Sequence, residues 1–81
     1  MAGSKSFEKV QERIRAALAR NVCELRLSLG MTQAELAKRA DIRRALISEI
    51  EREEANPTLE TLVRVAAALR VDAAELLAGK R

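Results

Sequence analysis

Arg43, Arg44 and Glu49 lie close together in this sequence, and their side chains can make directional hydrogen bonds to planar polar groups. An arginine can donate two parallel hydrogen bonds to O6 and N7 of guanine, and a glutamate can accept one from N4 of cytosine. Ala45 offers a methyl group that can contact the methyl of thymine. If one helix holds these side chains on the same face, their residue types predict a surface able to read base edges.

The surrounding residues, 32–51, predict two short helices joined by a tight turn. The first helix would run from about Thr32 to Ala40, and the second from about Arg43 to Arg52. One side of the pair is apolar, with Leu36, Ala37, Ile42, Ile47 and Ile50. The outward side is left to Gln33, Arg43, Arg44, Ala45 and Glu49. A helix pair with a buried seam and a polar outer face is typical of proteins that read the DNA major groove.

The whole chain divides into five helical segments, which predicts a compact all-α fold. The breaks fall at Gly30, Asp41, Asn56-Pro57 and Asp72. The first segment, from about Ser6 to Leu29, is the longest, and its apolar residues recur every three or four positions: Phe7, Val10, Ile14, Leu18, Val22, Leu25 and Leu29. We expect Ser6 to cap this extended first helix and Thr32 with Glu35 to form a capping box for the second.

The last two segments follow the turn at Asn56-Pro57. In the fourth, Thr58 to Leu69, the pattern predicts the buried residues Leu59, Leu62, Val63, Ala66 and Leu69. The fifth begins at the N-cap Asp72 and presents Ala73, Leu76 and Leu77. We therefore predict an N-terminal extension of helix one (residues 1–17), a helix-turn-helix domain (residues 18–78) and a C-terminal tail (residues 79–81).

Composition excludes several functional classes. The chain has no histidine and one cysteine, Cys23, so it lacks the usual general base and the ligands of a zinc site. We therefore expect no enzyme, catalytic residue, metal site or cofactor. No apolar run approaches the roughly 20 residues of a membrane span, and no disulfide can form within the chain, so we expect a cytoplasmic location. The net charge of +3 fits a polyanionic partner.

Residues 30–77 resemble the Xre/Cro-type, lambda-repressor-like helix-turn-helix family of transcriptional regulators. The matching positions are Thr32-Gln33, Leu36-Ala37, Ile47-Ser48, Ile50-Glu51, Asn56-Pro57, Thr61-Leu62, Ala66 and Leu69. The resemblance covers roughly residues 18–78. It implies sequence-specific binding of double-stranded operator DNA, usually as a dimer, to repress or activate transcription. The size of the chain is also similar to that of restriction–modification controller proteins and phage-type repressors.

Site residues carried over from the family fall into three groups. Arg43, Arg44, Ala45 and Glu49 would approach base edges, and Thr32 with Gln33 would hold backbone phosphate. Arg26 and Glu51 would pair across helices one and three and orient the recognition helix. For Arg43 and Arg44, the sequence leaves open whether the side chain contacts DNA or only solvent. For Glu49, it leaves open whether the carboxylate accepts a hydrogen bond from a base or pairs with Arg52 or Arg26. Leu46 remains open between DNA and the core.

The chain departs from the family at three positions where the family prefers glycine, which here are Asp41, Glu53 and Arg70. A left-handed backbone would cost Glu53 and Arg70 about 1 kcal/mol each. We therefore expect helix three to run on through Arg52, Glu53 and Glu54. Glu53 and Glu54 place acidic side chains after the recognition helix, where they would repel DNA if turned toward it.

Dimerisation on an inverted-repeat operator would place two recognition helices in successive major grooves, about 34 Å apart. We expect the two-fold contact to use apolar residues of the last two helices, such as Val65, Leu69, Leu76 or Leu77. A second candidate is the extension of helix one, with Phe7, Val10 and Ile14. Two other functions remain open: an antitoxin that also binds a toxin protein, and a protein-interaction module that has lost DNA binding.

Overall fold

The computed structural model describes residues 2–79, with side chains from Ser6 onward, and these residues form five helices and no strand. The helices are α1 (Ala2–Ser28), α2 (Gln33–Ala40), α3 (Arg44–Glu51), α4 (Leu59–Leu69) and α5 (Ala73–Leu77). The predicted all-α fold with a long first helix is confirmed. Met1, Lys80 and Arg81, which belong to the expected terminal segments, lie outside the described residues. Within residues 2–79 no helix is long and apolar enough to cross a membrane.

The beginning of α1 differs from the prediction. The helix begins at Ala2, so Ser6 lies inside it and does not cap it. The helical backbone continues toward the N-terminus because only Gly3 in this stretch strongly disfavours a helix. At 27 residues α1 is about 40 Å long by the usual rise per residue, close to the 43 Å longest dimension of the molecule.

An aliphatic core joins all five helices. α1 packs against α3 and α5, while α2 packs against α3 and α4. Six large side chains are almost completely buried between them: Val22, Leu36, Ile47, Ile50, Val65 and Leu76. Burial of each such side chain contributes roughly 1.5–3 kcal/mol, so this core holds the short helices α2, α3 and α5 that would be unstable alone.

α3 is shorter than predicted, because Glu53 leaves the helical conformation. Its φ is 64°, in the left-handed region, and the helix ends at Glu51. The reversal lets the amide of Glu53 donate to the carbonyl of Ile50 at 3.1 Å and that of Glu54 to Glu49 at 2.9 Å. It also turns Ala55 into the core. These gains outweigh the backbone cost, so the predicted extension through Glu54 is wrong.

α4 packs three of the five predicted residues, Leu62, Ala66 and Leu69, in or against the core, but its buried face is rotated away from the other two. Leu59 and Val63, expected in the core, are 74% and 52% exposed, while Val65 is fully buried. Leu69 and Leu76, also named as two-fold contacts, are buried in the core as well. The face of α4 that packs into the core carries Leu62, Val65, Ala66 and Leu69, because this side of α4 faces α2 and α5. A two-fold contact through Val65, Leu69 or Leu76 is therefore excluded.

Polar side chains of α1 fix the parts of the chain that pack on it. Asn21 Nδ2 donates to the carbonyls of Glu75, Leu76 and Ala78 at 3.1, 3.0 and 2.9 Å, and so holds the end of α5. Asp72 is the N-cap residue of α5, although its side chain makes no capping hydrogen bond. The hydrogen bonds donated by Asn21 of α1 thus fix the position of α5.

Candidate nucleic-acid interface

α2 and α3 are joined by a turn of three residues whose geometry depends on Asp41. Asp41 has a φ of 57°, and its amide donates to the carbonyls of Ala37 and Lys38. The amide of Ile42 also returns to the carbonyl of Ala37, at 3.0 Å. Asp tolerates this left-handed backbone better than most residues. The turn therefore closes without a glycine and brings the start of α3 beside α2.

α3 has a buried side and an exposed side. Ile47 and Ile50 lie in the core, while Arg44 and Ala45 are exposed and Glu49 is half-buried. Arg44, Ala45 and Glu49 line one shallow depression together with Ser48 and Arg52. The structure thus brings three of the four predicted base-contact residues to one surface.

Arg43 lies at the edge of this surface. It is the N-cap residue of α3, with extended backbone, and its side chain is exposed and makes no capping hydrogen bond. The guanidinium groups of Arg43 and Arg44 therefore lie at the beginning of the helix, where recognition helices place their base-reading residues.

Ser48 and Arg52 were missed by the sequence reasoning. Arg52 donates a short hydrogen bond to the hydroxyl of Ser48 and also lies 3.1 Å from Glu54. Residues 44, 48 and 52 follow each other at steps of four, so the helical period would have placed them on the exposed side with Arg44. Among the described side chains, the guanidinium of Arg52 has hydrogen-bond partners, whereas those of Arg43 and Arg44 have none.

The open alternatives for Glu49 and Leu46 are partly resolved by the packing. Arg52 pairs with Glu54 and Arg26 pairs with Glu51, and among the described residues neither arginine forms a salt bridge with Glu49, so the structure does not support the alternative of pairing. Leu46 is half-buried and packs against the core. Its side chain is therefore directed mainly to the domain interior.

Arg26, Glu51 and Gln33 form a compact polar cluster at the end of α3. Arg26 Nε and Nη2 donate to the two carboxylate oxygens of Glu51 at 2.7 and 3.1 Å. Arg26 Nη1 donates to the carbonyl of Met31 at 2.7 Å, and Gln33 Nε2 donates to Glu51 Oε1 at 3.0 Å. The side chains of Arg26 and Glu51 are only 11% and 9% exposed. Three helices are thus joined at one carboxylate.

The electrostatics of the cluster favour the charged pair. Burial alone would raise the pKa of Glu51, but the hydrogen bonds from Arg26 and Gln33 outweigh it and hold this pKa below its ordinary value. The hydrogen bond to Glu51 raises the pKa of Arg26 in turn. Both groups are therefore charged at neutral pH, and their mutual orientation fixes α3 against α1.

The N-terminal turn of α2 is ordered by the predicted capping box. Thr32 Oγ1 accepts from the amide of Glu35 at 3.0 Å, and Glu35 Oε1 accepts from the amide of Thr32 at 2.8 Å. These hydrogen bonds lower the pKa of Glu35. Thr32 is exposed and Gln33 is half-buried, with one amide hydrogen engaged by Glu51. Both residues predicted to contact phosphate thus lie at the N-terminal end of α2, and Gln33 is itself part of the cluster.

Several charged side chains around α2 and α3 form ion pairs with each other or with α4. Asp41 and Glu60 both pair with Arg64, at 3.3 and 2.8 Å, and Glu54 pairs with Arg52. Lys38 and Arg39, at the end of α2, are exposed. Several carboxylates near the helix pair are therefore neutralised by cations of the same chain.

Residues 24–76 match the model of a helix-turn-helix family. This range covers more than half of the 81 residues and includes α2 and α3. The chain belongs to the Xre-type helix-turn-helix family. Its members are DNA-binding transcription regulators, and the lambda-repressor-like resemblance of the sequence is thereby confirmed.

Relatives in this family include regulators of known structure. A hypothetical transcription factor of Neisseria meningitidis is 37% identical over 67 residues, which are 83% of this chain and 63% of that protein. The crystal structure of a hypothetical transcription factor from Neisseria superposes with a TM-score of 0.79 at 38% identity, over 82% of this chain and 76% of that one. The chain thus spans less than two thirds of the first relative.

Two relatives are restriction–modification or control proteins. Control protein C.SmaI of Serratia marcescens is 38% identical over 64 residues, covering 79% of this chain and 76% of that protein. The restriction-modification controller protein C.AhdI of Aeromonas hydrophila superposes with a TM-score of 0.73 at 27% identity, over 76% of this chain and 94% of that one. The relatives are named as regulators and not as enzymes.

Proposed function

We propose that this protein recognises a specific duplex DNA sequence with α3 and regulates transcription as a homodimer on an inverted-repeat operator. The observation that carries the proposal is the two-sided character of α3. Its inner side is fixed in the core by Ile47 and Ile50, and its outer side exposes Arg44 and Ala45 at the helix start. A helix anchored in this way can enter a major groove without losing its packing.

Some side chains of α2 and α3 would contact bases, and others would contact phosphates. Arg44 would donate two hydrogen bonds to a guanine, worth roughly 1–3 kcal/mol of discrimination, and Arg43 would contact a neighbouring base or phosphate. Ala45 would contact a thymine methyl, and Glu49 would accept from a cytosine. Thr32 and Gln33 would hold a phosphate at the positive end of α2.

Selection of bound duplexes from a random pool tests the proposed DNA recognition. The selected sequences should share two half-sites in inverted orientation, with centres one helical turn, or about 34 Å, apart. Affinity for the selected duplex should fall steeply as salt rises, because phosphate contacts release counterions. A pool without enrichment would contradict specific recognition, and a single enriched half-site would contradict the dimer.

The antitoxin and the interaction module are less well supported. The relatives are named as transcription factors, regulators, a repressor and controller proteins. A toxin partner would have to bind somewhere other than the exposed side of α3 for the protein to keep its DNA surface.

A further inference from the structure

The segment between α3 and α4, residues 52–58, is held by two side chains of α1. Arg15 Nε and Nη2 donate to Asn56 Oδ1 at 3.0 and 2.6 Å, and Arg15 Nε also donates to the carbonyl of Ala55 at 3.3 Å. Gln11 Nε2 donates to the same Asn56 oxygen at 3.3 Å. We call these four hydrogen bonds the α1 brace.

The course of this segment depends on the α1 brace. Its backbone hydrogen bonds to α3 end at Glu54, whose amide donates to the carbonyl of Glu49 at 2.9 Å. The next residue, Ala55, is buried in the core. Between Glu54 and Thr58, the N-cap of α4, the only hydrogen bonds that the described residues make are those of the α1 brace. Contacts from α1 therefore fix the chain just after the recognition helix.

The same segment reaches the exposed side of α3 through Glu54. Glu54 Oε1 accepts a hydrogen bond from Arg52 Nε at 3.2 Å and lies 3.1 Å from Arg52 Nη2. Arg52 in turn donates to the hydroxyl of Ser48 and lines the shallow depression of α3 together with Arg44. A connected series of contacts thus runs from α1, through residues 54–56, to the surface that we propose binds DNA.

The charge of Glu54 makes its position important at a DNA surface. Its side chain is 57% exposed, and its carboxylate is neutralised locally by the guanidinium of Arg52. A carboxylate separated from this guanidinium would repel phosphates and lower the affinity for any duplex, because binding depends on neutralising phosphate charge. Glu54 lies two residues before Asn56, so the α1 brace limits how far this carboxylate can move from Arg52.

We propose that Arg15 is a positioning residue for DNA binding, because its hydrogen bonds to Ala55 and Asn56 keep Glu54 paired with Arg52. The inference rests on the proposed function, since it concerns how the exposed side of α3 meets a duplex. It also gives a role to a part of α1 outside the family match, because Gln11 and Arg15 precede residues 24–76.

Amide hydrogen exchange of the full chain without DNA tests the brace itself. In Arg15→Met the amides of Glu53 and Glu54 should exchange about fivefold faster or more, because the segment can then open locally. Asn56→Ala removes the shared acceptor and should speed exchange of the same two amides. Arg13→Met is the matched control: it removes an exposed arginine of the same helix that, among the described side chains, has no hydrogen bond to residues 52–58.

The amide of Ile42 is the internal reference for this measurement. It donates to the carbonyl of Ala37 in the turn between α2 and α3, away from the α1 brace. A general loss of stability in Arg15→Met would speed exchange at Ile42 as well. Loss of the brace alone would speed exchange only in the segment after α3.

A double-mutant cycle with Glu54 tests the step from the brace to DNA. Arg15→Met and Arg13→Met each remove one positive charge from α1, so their general electrostatic effects on DNA affinity should be similar. Arg15→Met should lower the affinity for a duplex about fivefold more than Arg13→Met does, because it also releases Glu54. In the Glu54→Gln background the two arginine variants should lose affinity equally, because the amide of Gln carries no charge to be misplaced. Titrations of all the variants against the same duplex at one salt concentration measure this rescue.

The outcomes separate the role of Arg15 from the proposed function. Faster exchange confined to the segment after α3, together with rescue by Glu54→Gln, supports the role. Unchanged exchange in Arg15→Met, exchange that is equally faster at Ile42, or an equal loss of affinity in both backgrounds overturns the role, while DNA binding by the wild type still stands. A wild type that binds no duplex contradicts the proposed function itself, and the role of Arg15 in DNA binding is then overturned with it.

Discussion

Gln33 Nε2 lies 3.0 Å from Glu51 Oε1, so the first residue of α2 donates a hydrogen bond to the last residue of α3. Arg26 of α1 holds the same carboxylate through two hydrogen bonds. Glu51 is therefore the common acceptor through which α1 and α2 position α3. Any change at this carboxylate should alter both the stability of the fold and the presentation of α3.

Loss of one partner of the Arg26–Glu51 pair should be costly. Arg26→Met leaves the Glu51 carboxylate with little compensation in a mostly buried site, and we expect the free energy of unfolding to fall by about 3 kcal/mol. The double variant Arg26→Met/Glu51→Leu should lose less than the sum of the single variants, because it leaves no unpaired charge. Urea denaturation of all four proteins measures this coupling, and strictly additive losses would contradict it.

Acid should weaken the fold through the same carboxylate. The pKa of Glu51 is lowered in the folded state from its ordinary value of 4.5, so the unfolded chain binds the proton more readily. The stabilisation is thus fully present above pH 4.5 and is lost as the pH falls below it toward the folded-state pKa. Thermal melts from pH 7 to pH 3 should show a smaller decrease for Glu51→Gln than for the wild type. An equal decrease would assign the acid sensitivity to other groups, such as Glu35.

Strong local patterns made the helices and the turn predictable from the sequence. The capping box at Thr32, the steps of three and four along α1, and the breaks at Asp41 and Asn56-Pro57 all act through neighbouring residues. The Arg26–Glu51 contact joins residues that are 25 positions apart, and the sequence indicated it only through the family resemblance.

Tertiary packing decided the features that the sequence did not predict. On α4, both Val63 and Val65 are apolar, and only the positions of α2 and α5 determine that Val65 is the buried one. Glu53 looked unsuited to a left-handed backbone, yet burial of Ala55 requires the chain to turn there. The hydrogen bond from Arg15 to Asn56 joins two polar residues that are far apart in the sequence, so no pattern of neighbouring residues indicates it.

Arg70 adopts a left-handed backbone with a φ of 64° at the end of α4, which glycine would adopt without strain. We expect Arg70→Gly to raise the free energy of unfolding by about 1 kcal/mol, because Arg70 is exposed and the cost lies in its backbone. Arg70→Ala is the control, since it removes the side chain and keeps the Cβ atom. A gain in both variants would show that the charge of Arg70, and not its backbone, is destabilising.

Gln33→Ala should weaken DNA binding without changing its sequence preference. The variant loses the proposed phosphate contact, worth about 1 kcal/mol or roughly a fivefold change in affinity, while loss of the hydrogen bond to Glu51 lowers the stability of the fold. Gln33→Glu should be worse, because it places a second carboxylate beside Glu51 and near a phosphate. Titrations against the selected duplex and a scrambled one measure both effects. A change in the ratio of the two affinities would mean that Gln33 contacts a base.

Arg44 should determine one position of the operator. Arg44→Ala removes the proposed bidentate contact with guanine, and we expect affinity for the selected duplex to fall about tenfold or more while affinity for random DNA changes little. Arg44→Lys keeps the positive charge but cannot donate the same pair of parallel hydrogen bonds.

The lysine variant separates charge from base recognition. If Arg44 reads a guanine, Arg44→Lys should retain the affinity for random DNA and still lose preference at one base pair of each half-site. If Arg44 only contacts a phosphate, the lysine should restore binding to all duplexes alike. Competition titrations with duplexes substituted one base pair at a time distinguish these results. Because α3 is fixed by Ile47 and Ile50 in the core, the affected base pair should lie at the same place in both half-sites.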